Sequence, residues 1–137
     1  MYKRQRYDGS LYFANVSYFE DAVLEALAER PNVKYVLIVG DGINQMDASG
    51  EEVVHHLVER LHDAGVTLVF SGLKKQVLDV MRQTGLMEAV SQENIFATED
   101  QAIAAIYARL GDWFPQLAIV LLAGLLVMAF VSRHRAR

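Results

Sequence analysis

The stretch VGDGINQMDASGEE, residues 39–52, sets four carboxylates, three glycines and one hydroxyl close together. Two chemistries could use such a set. In the first, a carboxylate attacks phosphorus while a second carboxylate holds Mg²⁺. That reaction needs an acidic pair on an earlier strand, yet the aspartates before Asp41 are Asp8 and Asp21, and neither has an acid two residues on. Gln45 also stands where the second metal-binding carboxylate would fall, and a neutral amide cannot replace that charge. In the second, glycines and the free N–H groups of a helix start receive an anion, or a hydroxyl there accepts a phosphate. The residues available are Gly40, Asp41, Gly42, Asp47, Ala48, Ser49 and Gly50, with Ser49 the candidate phosphosite. Asp41 and Asp47 oppose tight phosphate binding without a metal. Gly40 and Gly42 lack the third glycine of a dinucleotide-binding turn, and read instead as a sharp exit from a strand.

Other constellations weigh less. His55, Glu59 and His62 have metal-ligand spacing on a helix, but they read as a solvated face with charge pairs, so no metal or other cofactor is expected. Tyr12, Phe13, Tyr18 and Phe19 read as core and sheet packing. Absence of cysteine excludes disulfides and thiol catalysis. The net charge of -4, with Lys3, Arg4 and Arg6 at one end and Arg133, Arg135 and Arg137 at the other, leaves an acidic body and no basic stripe for nucleic acid. The opening residues carry charges but no apolar run behind them, unlike a secretory signal.

The elements that must position residues 39–52 alternate along the chain. Residues 10–16 read as a strand, preceded by another over 2–7 with a turn at Asp8-Gly9. A helix over 17–29 is predicted from a Ser17/Glu20 capping box and the stripe Phe19, Val23, Leu24, Leu27. The apolar runs 34–40 and 66–72 read as buried strands, with Leu37 and Val69 almost fully covered. Between them a helix over 49–64 should start on a Ser49/Glu52 box and stop at Gly65. Helices over 74–84 and 99–109, the latter capped by Thr98 with Gln101, flank a short strand at 94–98. This pattern predicts an α/β fold.

Residues 113–131 contain no charge, and as a helix rising about 1.5 Å per residue they approach the ~30 Å hydrocarbon core. They are expected to form a hydrophobic, membrane-associated C-terminal helix with a basic end, giving a domain over 1–111 and a tail over 112–137. The 53 % hydrophobic content and mean hydropathy of +0.15 agree with a globular body bearing a greasier segment. A basic end prefers the cytoplasm, so one full span would put the body outside unless the tail is re-entrant, interfacial or packed on other spans.

Residues 40–45 look like a broken form of the GDGxND signature of haloacid-dehalogenase-type phosphohydrolases. The larger resemblance lies elsewhere. MDASGEEVVHHLVERLHDAGVTLVFSGLK (46–74), RYDGSLYFANVSYFEDAV (6–23), VLDVMRQTGLMEAV (77–90) and NIFATEDQAIAAI (94–106) together resemble STAS domains, in particular the cytoplasmic C-terminal domains of SulP-type (sulfate permease family) anion transporters. That resemblance implies a mixed, largely parallel sheet with flanking helices. It also implies a non-catalytic regulatory or protein-interaction role in a sulfate or anion transport system, on the cytoplasmic side of a membrane. The implied partners are a SulP-type transporter membrane domain or a cytoplasmic docking protein, with a nucleotide as a further candidate. Anti-sigma-factor antagonists of the same family, the alternative reading, carry a phosphorylatable hydroxyl directly after the aspartate; here Ala48 follows Asp47.

Because the alternating core closes by about Leu110 while the tail is apolar around its whole circumference, a chain ending at Asp112 should be soluble and cooperatively folded. The full chain should require detergent. Membrane fractionation and chemical denaturation of the two check this, and a full chain soluble without detergent would place the tail on the domain instead.

Overall fold

The computed structural model describes residues 2–8 and 15–111. Its order is β1 (Tyr2–Asp8), α1 (Val16–Ala28), β2 (Tyr35–Gly42), α2 (Ala48–Asp63), β3 (Thr67–Ser71), α3 (Lys75–Thr84), α4 (Leu86–Val90), a 3-10 turn (Gln92–Asn94), β4 (Ile95–Phe96) and α5 (Glu99–Gly111). Two compact units, Met1–Ala104 and Ala105–Arg137, divide the chain within α5.

The four strands form one sheet in the order β1-β2-β3-β4. Every ladder among the described residues is parallel, with Tyr35 opposite both Tyr2 and Thr67, and Phe70 opposite Ile95. Parallel neighbours need a crossover between them, and right-handed crossovers in a sheet that grows in one direction bring their helices to one face. The core follows this rule. Val36, Ile38, Leu68 and Phe70 of the strands cluster with Phe19 and Val23 of α1, Val54, Leu57 and Leu61 of α2, Val77 and Met81 of α3, and Leu86 and Val90 of α4. The alternate residues Leu37 and Val69, which face the other way, are also 0 % exposed, as the apolar runs predict.

Several expectations are corrected. The strand expected over 10–16 falls mainly outside the described residues, and only its end is corrected, since Asn15 lies in a turn and Val16 opens α1. The Ser17/Glu20 capping box does not form: the N-cap is Asn15, with no side-chain cap, and Glu20 instead accepts a hydrogen bond from Arg60 of α2 at 2.6 Å. That ion pair ties the two helices together. Phe19 enters the core as expected, but Tyr18 points to solvent, 72 % exposed. Tyr12 and Phe13 lie outside the described residues. Thr98 does cap α5, its hydroxyl accepting from Gln101 N at 3.4 Å.

The ends of α2 and α3 behave as the glycines predict: Gly65 and Gly85 take left-handed φ of 73° and 81°. Ser91 shares that sign, at φ 70° and ψ 130°, a conformation that costs a non-glycine residue about 1–3 kcal/mol. Its carbonyl accepts from Asn94 N, and buried Asn94 donates to Val90 O at 2.8 Å, so α4 and the 3-10 turn are joined across it. No helix among the described residues is long and apolar enough to cross a membrane, and the expected tail helix lies outside them.

Leu57, wholly buried in the middle of α2, tests the packing. Leu57→Ala should lower stability by about 2–5 kcal/mol in denaturant titration; a loss below about 1 kcal/mol would contradict its place in the core.

Candidate functional site

The carboxyl ends of parallel strands carry the loops where α/β proteins place ligands and contacts, and residues 40–50 occupy that position after β2. The loop is pinned from below. Ile43 and Met46 are buried in the core, and Ile43 N donates to Gly40 O at 2.9 Å to close a tight turn. Asp41, Asn44, Gln45 and Ala48 are exposed, whereas Gly42, Asp47 and Ser49 are half-buried and Gly40 and Gly50 are buried. The candidate residues therefore come together in space but do not share one surface.

Two glycines at this end of the sheet have a packing reason. A Cβ on Gly40 would lie 2.5 Å from Leu73 Cδ2 and 3.1 Å from Ser71 O, so the missing side chain is what admits the β3–α3 connection. Gly40 thus serves close approach as well as opening the turn. In the opposite direction, Gly72 sits at φ +68°, and a Cβ there would meet Asp41 Oδ1 at 2.5 Å. Further along, Lys74 Nζ is hydrogen-bonded to Asn44 Oδ1, and Gln76 Nε2 donates to Asn44 O at 2.9 Å. The loop after β2 is therefore zipped to the loop after β3. Asn44, Leu73, Lys74 and Gln76 were not singled out from sequence. The signal was there, in that SGLK follows its strand as GDGI follows the previous one.

The start of α2 corrects the cap assignment. Asp47, extended at φ -94° and ψ 179°, is the N-cap, and its Oδ1 accepts from Gly50 N at 2.8 Å. Ser49 is the second helical residue, and the Ser49/Glu52 box does not form. An ionised cap accepts a stronger hydrogen bond than a hydroxyl and also sits favourably on the positive end of the helix dipole. The consequence is chemical. One N–H that an incoming anion would take already belongs to the protein's own carboxylate.

Elsewhere on α2, His55 lies between Glu51 at 3.3 Å and Glu59 at 3.9 Å, a polar row along the helix surface. Among the described residues no three His, Cys, Asp or Glu side chains converge on a metal-sized site. On α3 the hydrogen bond from Lys75 holds the Asp79 carboxyl below its usual range. Desolvation opposes it, and the charges of Lys75 and Arg82 and a hydrogen bond from Arg82 add to it. A carboxylate so shifted contributes stability above its unfolded pKa, and that contribution is lost as pH falls through the lower folded value.

A STAS domain family model matches residues 5–102. The chain belongs to the STAS domain family. It is 30 % identical over 122 residues to solute carrier family 26 member 10 of Mus musculus, covering 83 % of this chain and 18 % of that protein. It is 23 % identical over 108 residues to high affinity sulfate transporter 2 of Stylosanthes hamata, covering 72 % of this chain and 16 % of that one. This STAS chain thus spans less than a fifth of the length of those relatives. Among solved structures it is similar to a sulfate transporter family protein from Wolinella succinogenes, with TM-score 0.68, 22 % identity and coverage of 80 % and 85 %. It is likewise similar to the unphosphorylated anti-sigma factor antagonist SpoIIAA, with TM-score 0.61, 20 % identity and coverage of 77 % and 87 %. These structural likenesses establish the fold.

The cap is testable. Asp47→Ala should cost about 0.5–2 kcal/mol, whereas Ser49→Ala should stay within about 0.5 kcal/mol, both read by denaturant midpoint. The reverse order would return the cap to Ser49.

Proposed function

We propose that this STAS domain is a non-catalytic regulatory and protein-interaction module of a SulP-type sulfate or anion transport system. Its docking surface is formed by residues 40–50 together with the first turn of α3. The partner is a SulP-type transporter membrane domain or a cytoplasmic docking protein, with the body on the cytoplasmic side and the 112–137 segment at the membrane. The observation that carries this reading is the Asp47 cap followed by Ala48. The capping geometry is complete, while the position directly after the aspartate offers a methyl group in place of a hydroxyl. Such a surface suits steady docking better than a phosphate-driven switch. A role as a nucleotide or anion receptor has less support, because Asp47 already occupies the N–H of Gly50.

The likeness to an anti-sigma factor antagonist favours a second reading, in which the chain exchanges partners under kinase control. Ser49 would then have to accept the phosphate from within the first turn of α2. A phosphohydrolase role is not supported, since Gln45 leaves Asp41 without the second carboxylate its chemistry requires.

Two measurements separate these readings. Incubated with an antagonist-type kinase and ATP, the chain should gain no phosphate, and labelling lost in Ser49→Ala would establish the partner-switching class. Mixed with a SulP-type membrane domain lacking its own STAS domain, the full chain should co-purify, and Ala48→Glu should weaken that association. Undiminished binding by Ala48→Glu would move the docking surface elsewhere.

A further inference from the structure

We draw no further inference here: the strongest candidate, the Ser71 hydroxyl buried at the carboxyl end of β3 with no hydrogen-bond partner among the described residues, lies beside the 40–50 loop already described, and nothing in the structure shows what ligand or partner would meet it.

Discussion

Five consecutive residues of β2, Val36 to Gly40, are withdrawn from solvent, and the remaining structure answers to that constraint. A strand covered on both faces cannot alternate apolar with polar side chains, so its polar chemistry is confined to its ends. Its neighbours β1 and β3 run parallel to it, each reached by a helical crossover, and the helices bury their stripes on Val36 and Ile38. At the strand's exit the constraint tightens, because Gly40 is still buried and the chain after β3 passes directly over it. There the missing Cβ decides whether Leu73 can close the top of the sheet. The 40–50 loop is therefore held by the same packing that holds the core.

The same packing fixes how the 40–50 region is anchored. Two apolar anchors point down, Ile43 and Met46, and the polar residues between them are tied sideways to α3 through Asn44. The Asp47 cap fixes where α2 begins. The docking partner proposed above would meet a preformed relief, with little ordering cost to be met on association. In an interaction domain that cost is a large part of what separates a useful affinity from a negligible one.

Much of this was legible in the sequence, and the failures are instructive. The runs 34–40 and 66–72 announced buried strands because short, β-branched apolar runs bounded by turn residues suit a strand covered on both faces, and Leu37 and Val69 are where that argument put them. Gly65 and Gly85 ended their helices for a local, backbone reason that sequence carries in full. The capping boxes failed at Ser17 and Ser49 because spacing alone cannot show competition. Glu20 is drawn off by Arg60 forty positions away, and Asp47 outbids a hydroxyl two residues later. The short helix α4 went unseen because five residues show no period. The meeting of Gly40 with Leu73, and of Asn44 with Lys74 and Gln76, is a tertiary fact. Adjacent parallel strands bring those loops together, and no window along the chain contains both.

The sheet's strand order carries a consequence for how the molecule comes into being. Since β1, β2, β3 and β4 lie side by side in the order in which they are encoded, each new strand finds its partner already made. The domain can grow outward one βα unit at a time as the polypeptide leaves the ribosome. The described sheet has no strand that must wait for a distant segment, and the greasy residues from 113 onward emerge after it. By then the apolar surfaces that might have collapsed onto them can already be covered.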